Sequence, residues 1–516
     1  MLTLKEYKNK LLGCFMGKNI GGTLGAPLEG RNCETFDRFY DFYLQEMTGK
    51  PLPNDDLDLQ IVWLNALENH KTSLNSRILG EYWLSYIIGD WSEYGAGKGN
   101  LSDGILPPLS GVVNNLHKNS CGAFIRSEIW ACVAPGHPEI AARFATMDAE
   151  VDHADEGIYG EVFCAALESA AFVENDFEKL VDIASSYIPK DCGVRKAVEC
   201  VKKSYDSGLT WKQAFHELMR CQPSSFSGRK GWTDENGNKI ECREIGYDAP
   251  GNIGIALIGW YYGEGDFEKS MLITLNCGED ADCTCATLGA VLGVVKGFDA
   301  IPEKWIKPIG TDIVTVCLYY QDLTCRRPKT LNELYERTHR LVPAIIGSDY
   351  NMETQEIKPA ENMYHTGMKT KHKPYIDGEI ERNPYKISYE GELFDISVDY
   401  REAPFFENNS TKKIGLKIMV NRGRQYWMNI KVMHPDCVTL PAGDEMRVFL
   451  YQFYHGLNEL EFEIQIGDVN ESKLELVMEF SIEGRPNKTY IPLTFLKNTG
   501  KWMPKPGRDF YDIQKS

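Results

Sequence analysis

The feature that most limits how this chain can fold is a glycine at every fourth position near its start: Gly13, Gly17, Gly21 and Gly25 in "GCFMGKNIGGTLG". On a helix a step of four returns to the same face, so these glycines form a stripe without side chains along which a neighbouring backbone can approach closely. Lys10, Lys18 and Asn19 lie in the same stretch and argue against the use of such spacing inside a membrane. The expectation is a helix sealed into a helical core.

The texture that follows agrees. Ala141, Phe144 and Ala145, and further on Val162, Ala165, Ala166 and Ala170, keep helical spacing, and an all-helical domain is expected over residues 1–345. Residues 346–385 lose periodicity, are rich in charge, Pro and Gly, and read as a connector. From 386 to 516 the pattern changes again. "KIGLKIMVNR", "YWMNIKVMHP", "LNELEFEIQIG", "SKLELVMEFSIEG" and "TYIPLTFL" alternate with period two between turn residues, which predicts an antiparallel β-sandwich. A chain of 516 residues exceeds what one core usually spans, so the fold class expected is multidomain, a helical bundle followed by a β-sandwich.

A net charge of −18 repels phosphate, so neither a nucleic-acid backbone nor an anionic membrane is the expected partner; cations are. The opening "MLTLKEYKNKLLGCFMG" carries both charge signs within its first ten residues and no apolar leader core, and no run of about eighteen apolar residues follows. Of the 15 cysteines, fourteen precede residue 330 in sequence of helical-core texture, which fits free thiols in a reducing compartment. The reading is cytoplasmic.

Two acidic knots precede apolar helical runs: "PNDDLDLQIVWLNALE" (53–68) and "NCGEDADCTCATLGAVLG" (276–293). Capping is the simplest account, with Asn54 and Asp280 as caps and the other acids complementing the helix dipole at about 0.3–1 kcal/mol each. Yet capping asks for one or two acids per helix, and Asp55, Asp56, Asp58, Asp280 and Asp282 make five. If the two heads meet, carboxylates ~4 Å apart repel by roughly 4 kcal/mol per pair at an effective dielectric of 20, which cations or protonation must relieve. Oxygen ligands in such number suit Mg²⁺, Mn²⁺ or Ca²⁺, can bridge two ions, and serve hydrolysis. The sulfurs of the second knot are the rival. Sulfur-built zinc sites use a wider Cys-x2-4-Cys knuckle with a partner pair, which Cys283-x-Cys285 lacks; core packing suits Cys277 and Cys285, while Cys283 could face the site.

Two further stretches stand out. "WSEYGAGKGNLSDGILPPLSG" (91–111) reads as a binding loop, with Tyr94, Gly95 and Asn100 as candidate substrate contacts, or else as a long connector. His153 stands among Asp152, Asp155 and Glu156, where it is a substrate contact or a structural hydrogen-bonder. No HExxH, GxSxG, Walker loop or strand-linked GxGxxG occurs.

Four blocks in order, "GCFMGKNIGGTLGAPLEG", "NDDLDLQIVWLNALE", "CGAFIRSEIWACVAPGHPEIAARFATMDAEVDH" and "GEDADCTCATLGAVLGVVKGFDAIPEKW", resemble the ADP-ribosylglycohydrolases. The resemblance covers residues 1–345 and implies a helical bundle holding two magnesium ions, with Mn²⁺ or Ca²⁺ as substitutes. The family's Thr-Asp-Asp and Asp-x-Asp-Ser/Thr ligand segments map onto Asn54, Asp55, Asp56 and onto Asp280, Asp282, Cys283. All four aspartates are kept. Both hydroxyl ligands are altered, and the aspartate that usually ends the Gly-rich motif is Gly22. The glutamate that approaches the ribose maps onto Glu29.

The function expected is a metal-dependent glycoside hydrolase cleaving at an anomeric carbon and releasing an ADP-ribosyl, ribosyl or related unit. Asp55 or Asp56 is the candidate base, Glu29 positions the sugar or assists proton transfer, and Arg126, His153 and Asn252 are candidate substrate contacts. The alternatives are a glycosidase acting on a nucleoside or small oligosaccharide and a non-catalytic sugar- or nucleotide-binding protein. The β-sandwich has no counterpart in the smaller family members.

Overall fold

A computed structural model of the protein describes residues 1–222, 232–233, 237–240, 248–319, 326–365, 383–391, 393–421, 425–451 and 457–498. Part of the expected connector (366–382) and the end of the expected sandwich domain (499–516) therefore lie outside the described residues. The chain divides into two compact units, one of Met1–Ala96 and Asn115–Arg382, the other of Gly97–Asn114 and Asn383–Pro506.

The first unit is helical, and its central pair bears out the glycine stripe. Helix α1 (Leu4–Gly25) opens with a capping box in which Thr3 and Glu6 satisfy each other's backbone N–H groups. From Leu11 to Gly25 nearly every residue is buried, Lys18 included. A Cβ added at Gly13, Gly17, Gly21 or Gly25 would fall within 1.9–2.2 Å of a carbonyl oxygen of Gly293, Gly289, Cys285 or Ala281. The partner numbers fall as the glycine numbers rise. Helix Ala281–Lys296 is thus antiparallel to α1, in register, and in backbone-to-backbone contact along its length. Gly289 and Gly293 return the favour, being closed in by the carbonyls of Gly17 and Gly13.

That register places the functional segments. The end of α1 lies against the start of Ala281–Lys296, and the chain on either side is tied by a two-stranded ribbon, β1 (Arg31–Asn32) with β2 (Gly278–Glu279), in antiparallel register Arg31↔Glu279. Glu29 and Asp280 flank this ribbon. Helix α2 (Asp55–His70) supplies the other acidic head. Residues 91–111, expected as a loop, instead form helix α3 (Ser92–Ser102) and a short turn of helix at Leu109–Val112. Among the described residues no helix is long and apolar enough to cross a membrane.

The second unit is built from two five-stranded sheets. In chain order the strands are β3 (Lys386–Tyr389), β4 (Phe394–Asp399), β5 (Phe405–Phe406), β6 (Ser410–Val420), β7 (Tyr426–Met433), β8 (Val438–Thr439), β9 (Glu445–Leu450), β10 (Leu457–Ile466), β11 (Lys473–Ile482) and β12 (Lys488–Lys497). One sheet runs β8-β10-β6-β4-β3 and the other β9-β7-β11-β12-β5. Burial alternates strictly in β7 and nearly so in β11, as half-buried strands require. All pairs are antiparallel except β12 with β5, where Leu496 pairs Phe405 in parallel. Ile105, Leu109 and Val113 join the sandwich core, which is why Gly97–Asn114 groups with the strands although the sequence expectation put it in the helical domain.

Candidate metal centre

The two acidic heads meet. Asn54 caps α2: its Oδ1 accepts the Asp56 N–H at 2.9 Å, and its Nδ2 donates to Asp282 Oδ2 at 3.4 Å. Helix α4 (Ala281–Lys296) begins just after Asp280, which holds the cap position but makes no capping bond with its side chain. Its carboxylate instead faces the cluster, where Oδ2 accepts the Cys121 thiol. The residue before it, Glu279, has φ 62°, a left-handed conformation that costs a non-glycine residue about 1–3 kcal/mol and is found where a site requires it.

Three overlapping triads of ligand atoms result: Asp56, Asp282 and Cys283; Glu29, Asp280 and Asp282; Cys121, Asp280 and Cys283. Within each, the atoms lie within 4.8 Å of one another. Asp55 stands beside them, held by the Tyr94 hydroxyl, which donates to its Oδ2 at 3.0 Å. Asp56, Asp280 and Asp282 are buried, and Asp282 Oδ1 has no hydrogen-bond partner among the described residues. Asp58, the remaining acid of the first head, turns elsewhere: its Oδ2 accepts the N–H groups of Val316 and Cys317 at 2.6 and 2.7 Å.

Electrostatics make the cluster costly as it stands. Burial raises Asp55 above the usual carboxylate range, and the Asp282 charge adds to it. Burial also pushes up Asp56, against the pull of Lys18, and Asp280, where Asp282 and Glu29 push further. Glu29 is the exposed member, yet enough protein surrounds its carboxyl that, with the charges of Asp282 and Asp55, it is pushed up to about 8. Lys18 is a poor counterweight. Its ammonium lies 2.7 Å from Glu128 and only 3.4 Å from Asp56, so most of its charge is already matched. Converging carboxylates and an unpartnered buried Asp282 oxygen fit a divalent cation, with Asp55, Asp56, Asp280, Asp282 and Glu29 as available donors.

Several expected residues have other contacts. Asn54 is a cap, since its carbonyl oxygen is engaged by the helix and its amide N–H faces Asp282; the expected metal-ligand role of that oxygen is not what the geometry displays. Gly22 touches it: a Cβ there would sit 2.8 Å from Asn54 Nδ2, so two departures from the family pattern form one contact. Asn252 is fully buried and accepts the Asp280 N–H at 3.3 Å while donating to the Asp248 carbonyl, so its side chain ties the Asp280 turn to its own helix. Arg126, also fully buried, forms a paired bond to Asp152 and a further one to Asp148. Asp152 is held near 2, because Arg126 and His153 outweigh the opposing effect of burial. His153 lies 2.9 Å from Asp152 through Nδ1 and 3.1 Å from Ser120 Oγ through Nε2. This chain of contacts, Arg126 to Asp152 to His153 to Ser120, ends one residue before Cys121. The expected substrate contacts at 126 and 153 are thus engaged with protein groups beside the Cys121 segment. Gly95 lies in the first turn of α3, where a Cβ would meet the Asp90 carbonyl oxygen at 2.1 Å. Asn100 belongs to the second unit and donates to the carbonyls of Ser110 and Val113.

Sequence reasoning missed two members. Lys18 was legible only as a charge on a helix that should be sealed. Cys121, whose thiol donates to Asp280 Oδ2 at 2.6 Å across 159 residues of sequence, carries no local signal.

Comparisons with known proteins agree with the helical unit. The chain is 23% identical over 316 residues to an uncharacterized protein of Archaeoglobus fulgidus, covering 58% of this chain and 91% of that one. Among solved structures, a FixG-related protein from Vibrio parahaemolyticus (12% identity, TM-score 0.17, 21% of this chain and 99% of that one) is too distant to bear on the fold. The same holds for the alkylpurine DNA glycosylase AlkC of Pseudomonas fluorescens (8% identity, TM-score 0.13, 86% and 99%). The ADP-ribosylglycohydrolase family matches residues 3–339, a span that takes in both acidic heads, Glu29 and the glycine stripe, and the chain belongs to that family.

Proposed function

We infer that the helical unit is a divalent-metal-dependent glycohydrolase that cleaves at an anomeric carbon and releases an ADP-ribosyl or related ribosyl or glycosyl unit. The observation that carries this reading is the meeting of Asp55, Asp56, Asp280 and Asp282 from two helix heads, with Asp282 Oδ1 buried and unpartnered among the described residues. These carboxylates would hold a divalent ion, which would supply the charge to polarise a water and orient sugar hydroxyls.

The chain's own residues do the rest. Asp55, held by Tyr94, is the candidate base, because that bond to Oδ2 orients the carboxylate and leaves Oδ1 for a water proton. Asp56 is held between Lys18 and Cys283 and suits a ligand better than a base. Glu29 sits at the exposed side of the cluster, a position suited to contacting the sugar or assisting proton transfer, and its carboxyl is pushed up to about 8 by burial and by the charges of Asp282 and Asp55 while no ion is bound.

Calorimetry with Mg²⁺, Mn²⁺ and Ca²⁺, followed by hydrolysis assays on ADP-ribosylated peptides, nucleosides and small oligosaccharides, tests the reading. Asp282→Asn should abolish both ion binding and turnover while the protein stays folded. Ion binding without hydrolysis of any of these substrates would favour a non-catalytic sugar- or nucleotide-binding protein.

A further inference from the structure

The sulfur atoms at this centre do not behave as core packing. Cys121 and Cys283 are both buried, both free, and both face carboxylates: Cys121 Sγ lies 2.6 Å from Asp280 Oδ2, and Cys283 Sγ lies 3.6 Å from Asp56 Oδ1. Cys283 belongs to two of the triads, one through Cys121 and Asp280 and the other through Asp56 and Asp282. Cys285, two residues on, shows the contrast: it is buried where α4 meets α1, its carbonyl pressed against Gly21.

As thiols the two groups can only donate to these carboxylates, and on losing their protons they become ligand atoms for a cation in the same place. The oxygen donors are also fewer than the family pattern implies, since the Asn54 oxygen is engaged as a helix cap. What remains around Asp280 is a mixed sulfur and oxygen set. Hard ions such as Mg²⁺ gain little from sulfur, while thiolate ligands favour Zn²⁺ and its neighbours in the first transition row.

We propose that Cys121 and Cys283, with Asp280 and the adjoining Asp56 and Asp282, form a thiolate–carboxylate site that selects Zn²⁺ or Co²⁺ over Mg²⁺. Each thiol that binds the ion releases its proton to solvent, and no electron is transferred. Arg126, Asp152 and His153 act as positioning residues for this site, because their chain of contacts holds Ser120 and therefore the Cys121 backbone. The proposal rests on the divalent-ion reading above and adds the class of ion.

The test uses the full chain, reduced and stripped of metal, titrated with Co²⁺, Zn²⁺ and Mg²⁺ by absorption and calorimetry. Co²⁺ should produce a near-ultraviolet sulfur-to-metal charge-transfer band that Zn²⁺ abolishes and that Mg²⁺ in large excess leaves in place. Cys121→Ser and Cys283→Ser should each lower that band and weaken Zn²⁺ by ~100-fold or more, since even losing a partner of a ligand costs 10–100-fold. Cys283→Thr, which restores an oxygen donor, should lower the band as the serine variant does and bind Mg²⁺ more tightly than the parent does. Cys285→Ala should keep the full band. Bound Co²⁺ without a charge-transfer band, or serine variants with unchanged Zn²⁺ affinity, overturns the proposal alone. A thiol count showing Cys121 and Cys283 joined in a disulfide in the active protein overturns it too. Failure of every ion, Mg²⁺ included, to bind overturns the divalent-ion reading itself. Circular dichroism of each variant separates lost binding from lost folding, and Cys283→Thr carries the test if Cys121→Ser does not fold.

Discussion

Gly17→Ala isolates what the glycine stripe contributes. On an isolated helix the change stabilises, by about 1 kcal/mol on the intrinsic helix scale. In the folded protein the new Cβ would lie 1.9 Å from the Gly289 carbonyl oxygen and 2.4 Å from its carbon, roughly 1.5 Å short of the 3.4 Å at which ordinary contact begins. Neither side can yield locally, because both surfaces are main chain. The helices must separate, and the same register then draws the head of α4, with Asp280 and Asp282, away from α1. Overpacking costs about 1–3 kcal/mol and sometimes more, and a backbone obstacle belongs at the upper end, so a net loss of ~2 kcal/mol is expected after the helical gain. At about 2 °C per kcal/mol for a unit of this size, the melting temperature should fall by ~4 °C. Thermal unfolding followed by calorimetry in the presence of a chelator reads this directly, and an ion titration should weaken in parallel. Gly99→Ala is the control: this exposed glycine lies on α3 with no atom of the described residues, beyond its own helix backbone and chain neighbours, within 4 Å of its added Cβ, so its unit's transition should hold or rise. A Gly17→Ala protein as stable as the parent, with unchanged ion affinity, would refute the backbone-contact reasoning.

Two further outcomes follow from the site. Asn252→Ala removes the acceptor of the Asp280 N–H and leaves that buried group unpaired, at about 1–3 kcal/mol, so chemical denaturation should register the loss and ion affinity should fall with it; unchanged values in both would contradict a supporting role. The metal-free protein should lose stability as pH rises from about 4.5 to about 8, because Glu29, with its carboxyl raised to about 8, keeps in the folded state a proton that the unfolded chain gives up near its ordinary value of 4.5; Asp56 and Asp280, raised likewise, act in the same direction. Adding the ion should flatten that decline and its affinity should rise across the same window, so melting curves from pH 5 to 9 with and without metal decide the matter, and a with-minus-without difference that does not grow with pH counts against it.

Much of the architecture was legible in the residues. The stripe from Gly13 to Gly25 announced a backbone contact, though not that its partner would be the helix carrying Asp282. Strands β6, β7, β10, β11 and β12 were legible because alternation follows from the pleat itself, whereas the short β8 and β9 carried no such named pattern. Residues 91–111 were misread because Gly and Asn content suggests a loop, whereas Ser92–Ser102 is helical and Ile105, Leu109 and Val113 take their place in the sandwich core. Arg126 and His153 look like ligand contacts in sequence, where a charge has no visible partner; in the fold Asp152 answers both.

By itself the sequence determined what depends on periodicity and short-range chemistry: the helical and β-rich halves, the bare face of α1, and the two carboxylate-bearing helix heads. Only the tertiary structure decided which atoms are free to act. It turned the Asn54 oxygen into a cap, sent Asp58 to the backbone of Val316 and Cys317, left Asp282 Oδ1 without a partner among the described residues, and brought Cys121 to Asp280. These outcomes rest on contacts between residues far apart in the chain, and the free energy of such a contact depends on burial and orientation that no local pattern of residues encodes.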